Sequence, residues 1–248
     1  MISLLEILQL DNMNLKKIIK KYLRMTGIDI IRYHKQGNPL GWLRSENIST
    51  VFDIGANIGQ FAQEIRAELP DAQIYSFEPI KECHDELIRS MGNDKKFRAF
   101  QLALGDKKET KTIHVSFYAP SSSLLEQSEE LKKLFPHVTG TIGENIKVER
   151  LDDIVHELTI EKPFLVKMDV QGFEDRVIEG GKETIAEADV LIIETSFIEL
   201  YEGQPLFDDI YKKLKSLGFS YNGSLRSKKD PKNGKIIFED SIFLKQDR

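Results

Sequence analysis

VFDIGANIGQF, residues 51–61, is a dense apolar run that breaks into a turn with two glycines and resumes at helical spacing. Phe61, Ile65 and Leu69 continue the apolar stripe of that helix until Pro70-Asp71 ends it. Strand, glycine turn and helix in this order predict the opening unit of a doubly wound α/β sheet. In such sheets ligands lie at the carboxyl ends of the strands, near the switch point.

Outward from this unit, strands and helices keep alternating. QIYSFEP (73–79) reads as the second strand, and Cys83, Leu87 and Met91 stripe the next helix. FQLALGD (100–106) reads as a third strand, and TIHVSFY (112–118) alternates as an edge or antiparallel strand does. NIKVERLDDI (145–154) re-enters a strand, with Asp152 placed to cap a helix. PFLVKMDV (163–170) and DVLIIETSF (189–197) are the most apolar strands, with helical FEDRVIEGGKETIAEA (173–188) between them. Phe207, Ile210, Tyr211, Leu214 and Leu217 stripe a helix that Gly218 stops. FSYNGSL and KIIFEDSIFLK then flank a DPKNG turn as a closing hairpin. The predicted fold is α/β and Rossmann-like: a doubly wound, mostly parallel seven-stranded sheet with a C-terminal antiparallel hairpin strand. Residues 1–45 are expected to form an N-terminal helical extension and 46–248 the main domain, with 112–147 a loop-rich insertion on the substrate side.

Composition narrows the function. A chain of 248 residues, 40% hydrophobic and 30% charged, has a soluble globular composition. Its net charge of -5 gives no global attraction to nucleic acid, and none is expected as partner. The single cysteine, Cys83, excludes a disulfide framework and a thiolate zinc cluster. With no apolar run of spanning length, and no basic n-region or cleavage site at the start, the expected location is cytoplasmic.

The turn after the first strand carries the chemistry. A nicotinamide dinucleotide site prefers G-x-G-x-x-G, with its pyrophosphate on the helix N-terminus. Here Asp53 stands in place of the first glycine, where its charge repels a pyrophosphate. A carboxylate there suits a cationic ligand, such as the ammonium and sulfonium of S-adenosylmethionine. Glu78-Pro79 ends the second strand, where an acid can accept both hydroxyls of a ribose. Gly55, Ala56, Asn57, Gly59, Phe61, Ala103 and Leu104 complete the expected cofactor-binding set, together with Asp169.

VFDIGANIGQF, YSFEP, LALGD, VERLDD and VKMDVQGFE occur in the order found in the FkbM-like family of class I S-adenosylmethionine-dependent methyltransferases, which the chain resembles from about residue 40 onward. Lys167, Asp169, Gln171, Gly172 and Glu174 match the family pattern K-x-D-x-E-G-x-E except at the glutamine, which removes one acid. The resemblance implies methylation of hydroxyls on sugars, glycolipids, polysaccharides or natural products. The expected acceptor is a sugar-containing small molecule or a lipid-linked glycan. The alternatives are nitrogen- or protein-directed methylation on the same fold and a non-catalytic cofactor-binding partner protein.

Methyl transfer to an alcohol needs alignment and a proton acceptor. Asp169 ends the fourth buried strand and is the first candidate, for the cofactor ammonium or as base. Lys167, in a strand covered on both faces, is expected to pair with Asp169 toward substrate. Glu194 ends the next strand and reaches the same edge, and His137 in the insertion has a pKa suited to a base. Ser121, Ser122 and Ser123 offer hydroxyl donors. Asp169 and Glu194 are hard oxygen ligands for magnesium or manganese, but two acids do not make a metal site and no metal is predicted. At the front, LKKIIKKYLRM (15–25) is an amphipathic basic helix. It is expected to pack on the domain or on a second subunit, the alternative being an anionic membrane surface.

Overall fold

The computed structural model describes residues 38–116 and 121–246, so the predicted basic helix at residues 15–25 lies outside the described part. Residues from Pro39 onward belong to one compact unit, which includes the stretch 39–45 ahead of the first strand. The reason is packing: Leu40 and Leu43, around the 3₁₀ turn Gly41–Glu46, are buried in one apolar layer with Val51 and Ile65.

Strands and helices are numbered in chain order. β1 (Thr50–Ile54), α1 (Gln60–Glu68), β2 (Gln73–Phe77), α2 (Lys81–Met91) and β3 (Phe97–Phe100) build one half of the main sheet. β4 (Ala103–Leu104), β5 (Glu109–Ser116), α3 (Glu129–Leu134) and β6 (Thr141–Glu149) follow, then α4 (Leu151–Ile154). β7 (Phe164–Met168), α5 (Glu174–Gly180), α6 (Lys182–Ala186), β8 (Val190–Ser196), α7 (Phe207–Ser216), β9 (Phe219–Lys229) and β10 (Ile236–Lys245) complete the chain. The main sheet has seven strands in the order β3-β2-β1-β7-β8-β10-β9. The β2–β3, β1–β2, β1–β7 and β7–β8 pairs are parallel, and β10 runs antiparallel to both its neighbours.

Alternation sends each strand's apolar residues into two layers, as parallel strands covered on both faces require. Val51, Ile74, Leu165 and Ile192 pack with Ala62 and Ile65 of α1 and Leu87 of α2. Phe52, Val166, Leu191 and Ile193 pack on the opposite face with Val177 and Ile178 of α5 and Ile210 and Leu214 of α7. The strand order reverses direction between β1 and β7, and that switch point fixes the place of the site.

Three local expectations change. The run at 100–106 is two strands, not one: Leu102 N–H turns back onto the Phe100 carbonyl (3.0 Å), and β4 then joins β6. The 112–147 stretch is less loop-like than expected, because β5 and β6 pair antiparallel from Glu109/Val148 to Ser116/Thr141, forming with β4 a separate three-stranded sheet. Asp152 caps a helix, but not its own: its carboxylate accepts from Glu183 N–H (3.2 Å), Thr184 N–H (2.9 Å) and Thr184 Oγ1 (2.7 Å). That cap starts α6 anew and splits the expected 173–188 helix in two. Among the described residues, no helix is long and apolar enough to cross a membrane.

Candidate functional site

At the carboxyl ends of β1, β2, β7 and β8 lies a cavity of about 260 Å³. Gly55, Ala56, Asn57, Phe61, Glu78, Pro79, Ala103, Leu104, Lys167, Asp169 and Glu194 all line it. Its floor is set by backbone bonds across the switch point: Gly55 and Ala56 N–H donate to the Phe77 carbonyl (3.0 Å each), and Asp169 N–H to that of Ile54 (3.0 Å). Gly55 takes φ +76°, and a Cβ there would stand 1.9 Å from the Asp169 carbonyl oxygen, so no side chain fits. Gly59 has a different task. It does not line the cavity, and a Cβ on it would meet Leu87 Cδ1 (2.9 Å) and Ser90 Oγ (2.6 Å), so its bareness lets α1 and α2 approach.

Asp53 also lies off the cavity wall. It is fully buried, opposite Lys167 in the β1–β7 ladder, with Lys167 Nζ 3.2 Å from its Oδ1. Burial pushes its carboxyl up against the pull of the lysine. Contact between Asp53 and a ligand is thus replaced by contact with Lys167. The expected Lys167–Asp169 pair is the looser of the two, at 3.9 Å, and Lys167 also donates to the Gly55 carbonyl (2.9 Å). Lys167 is therefore a tie between β1, β7 and the glycine turn. Burial works against its charge, but Asp53 and Asp169 hold it above the usual lysine range. Glu78 is nearly buried, and its two oxygens accept Ile80 N–H (2.9 Å) and Asn57 N–H (2.8 Å). Burial raises it to about 7.

Asp169 and Glu194 meet through a residue that sequence reading noted only as a departure. Gln171 Nε2 donates to Asp169 Oδ1 (2.7 Å) and Glu194 Oε1 (2.9 Å), and Tyr201 O–H donates to Gln171 Oε1 (2.6 Å). Burial and the charge of Asp169 push Glu194 well above the ordinary carboxylate range. Asp240 on β10, paired in register with Glu194, joins the wall, and burial and Asp169 raise it to about 6. Its signal was an acid pair inside the apolar IIFEDSIFL run. Arg226 of β9 lines the mouth and pairs with Glu64 of α1 (2.5 Å). From the insertion come Ser122, Ser123 and Leu124. His137 does not arrive: the neighbouring Val138 is buried, and its carbonyl accepts from Ser116 Oγ and Gln127 Nε2 (2.9 Å each), which leaves His137 exposed on the outer side of the turn. Among the described residues no group of three His, Cys, Asp or Glu could hold a metal ion.

Residues 53–221 match the sequence profile of the Methyltransferase FkbM domain. The chain is 32% identical over 162 residues to the 2-O-methyltransferase NoeI of Sinorhizobium fredii, a match spanning 62% of this chain and 66% of that relative, just under two thirds. It is 26% identical over 193 residues to methyltransferase sdnD of Sordaria araneosa, across 68% of this chain and 73% of the relative. Among solved structures, methyltransferase FkbM of Methylobacillus flagellatus superimposes with a TM-score of 0.51 over 80% of this chain and 44% of that one, at 14% identity, a likeness of fold. With the profile spanning well over half of its length, the chain belongs to the family of FkbM-domain methyltransferases.

Proposed function

We propose that this protein is a cytoplasmic, S-adenosylmethionine-dependent O-methyltransferase acting on a sugar hydroxyl of a glycan, glycolipid or glycosylated metabolite. The observation that carries the reading is the charge of the cavity wall. Glu78, Asp169, Glu194 and Asp240 line it, while Lys167, itself shared with buried Asp53, is held at its base. Such an excess of carboxylates favours a cationic ligand. The sterically closed turn at Gly55 gives a smooth backbone cradle beside them, so the residues fit an S-adenosylmethionine donor. When bound, that donor supplies a methyl group on a sulfonium whose thioether leaves without needing a proton.

The chain's own groups would do the rest. Glu78 keeps lone pairs for ribose hydroxyls beyond the two backbone N–H groups it already accepts. Asp169 is the more exposed carboxylate, and with Oδ1 held by Gln171 its Oδ2 is placed to take the acceptor hydroxyl's proton. That NoeI is named a 2-O-methyltransferase supports oxygen as the acceptor atom. The test is methyl transfer from labelled S-adenosylmethionine to a panel of free sugars, nucleotide-sugars, glycolipids, amines and peptides. Label on a sugar hydroxyl is the expected result. Label only on amines or peptides would redirect the reading to nitrogen, and donor binding without turnover would redirect it to a non-catalytic role.

A further inference from the structure

The amide of Gln171 makes three hydrogen bonds inside the cavity. A primary amide has two N–H donors and an acceptor oxygen with two lone pairs. Both donors go to carboxylates on two different strands, Asp169 Oδ1 just past β7 at 2.7 Å and Glu194 Oε1 within β8 at 2.9 Å, and the oxygen takes the Tyr201 hydroxyl at 2.6 Å. The orientation is therefore fixed by its partners: turned over, the amide would face two acids with its oxygen. The backbone is held as firmly. Gln171 sits at φ +53°, a left-handed conformation uncommon outside glycine. Ser123 Oγ donates to its carbonyl at 2.6 Å, and Glu174 Oε1 accepts the flanking Val170 and Gly172 N–H groups at 3.0 and 3.3 Å. Backbone strain kept in place by so many bonds marks a residue whose position serves the site.

We propose that Gln171 is a positioning residue for methyl transfer, its neutral amide taking the bridging place between Asp169 and Glu194 that a cation takes in other carboxylate clusters. The proposal rests on reading the cavity as a methyl-transfer site. The amide holds the two acids at a fixed spacing and leaves Asp169 Oδ2 and Glu194 Oε2 to face an acceptor. Two carboxylates this close repel unless a donor, a proton or a cation stands between them. A glutamate at 171 has no donor to give, and would place a third carboxylate within hydrogen-bond distance of the other two. Three hard oxygen ligands at one point make a site for manganese or magnesium.

The test compares wild type, Gln171→Glu, Gln171→Leu and Tyr201→Phe. Manganese chloride is titrated into each by calorimetry, and methyl transfer is measured with chelator and with manganese. Gln171→Glu is expected to bind one manganese ion per chain where wild type binds none, and this readout needs no turnover. In the assay, wild type is expected to ignore chelator, and Gln171→Leu to lose roughly tenfold or more in kcat with donor affinity unchanged. Gln171→Glu is expected to be slow in chelator and restored by manganese. Tyr201→Phe, which deletes a single hydroxyl and keeps the ring in the core, is expected to lose kcat by a few-fold and guards against a folding artefact. Equal manganese binding by wild type and Gln171→Glu overturns the proposal, as does wild-type activity that chelator abolishes or full kcat in Gln171→Leu. A wild type that methylates no acceptor while Gln171→Glu still gains the ion would retire the functional reading and leave the amide's bridging place standing.

Discussion

Asp53 and Lys167 face each other across the β1–β7 ladder, carboxylate and ammonium 3.2 Å apart beneath the glycine turn. Asp53 is 0% exposed, so its charge is met by Lys167 and not by water. Removing one partner of a buried pair strands the other, at a cost of about 3–5 kcal/mol, whereas replacing both by neutral groups costs far less. Lys167→Met is therefore expected to be strongly destabilised and Asp53→Asn/Lys167→Met to recover much of the loss. Denaturant unfolding of the four-member cycle measures this, and strictly additive energies would refute the coupling.

The two glycines of the turn separate binding from packing. Gly55→Ala drives a methyl into the Asp169 carbonyl oxygen at 1.9 Å, at the cavity wall, and should abolish donor binding in calorimetry. Gly59→Ala presses on the ends of Leu87 and Ser90 away from the cavity. It should lower the melting temperature while the folded fraction keeps its donor affinity. Equal donor affinity in the two variants would contradict the division.

Glu78 links the site to pH. Its carboxyl stands near 7 in the fold against an ordinary 4.5, with burial the main cause. The folded state thus holds the proton more tightly than the unfolded chain does. Its contribution to stability is complete below about 4.5 and fades as pH rises through 7, on the order of 3 kcal/mol in all. Glu174, also raised to about 7 by burial, acts in the same direction. Glu78→Gln should flatten the fall in stability of the ligand-free protein between about pH 5 and pH 8, and weaken the donor roughly tenfold. A slope unchanged by the substitution would exclude Glu78 as its source.

Much of this was legible in the sequence, because the strongest signals there are periodic. The alternating strands, the stripes of α1, α2 and α7, and the placing of Glu78 and Asp169 just past strand ends follow from local patterning, whereas Glu194 lies inside β8, two residues before its end. Register is another matter. Period-2 alternation says which face Asp53 and Lys167 share, not that they stand opposite each other, so an aspartate read as a ligand contact is a buried counter-ion. The break after Phe100 was hidden because apolar residues run through Leu102 into β4 without a turn signal. Gln171 looked like a lost acid until Tyr201, thirty residues on in the chain, supplied the partner that makes an amide the better choice.

Arg226 and Glu64 join β9 to α1 across the cavity mouth, both half in water. An exposed pair adds little to stability. Arg226→Ala should leave the melting temperature where it is, and raise the KM for acceptor several-fold with kcat and donor affinity unmoved. Unchanged acceptor KM would remove Arg226 from substrate binding.

Between Phe100 and Ala103 the chain leaves one sheet and enters another, and both contribute to the same cavity. The large sheet brings Glu78, Lys167 and Asp169 on strands locked in register, while Ile113 and Ser122 to Leu124 come from β5 and from its connection to β6. That connection is tied to the large-sheet side by side-chain and loop contacts, such as Ser123 Oγ to the Gln171 carbonyl (2.6 Å), and not by rungs of the seven-stranded ladder. A change in that connection would therefore reshape the cavity from one side only, with Glu78, Lys167 and Asp169 still where the large sheet holds them.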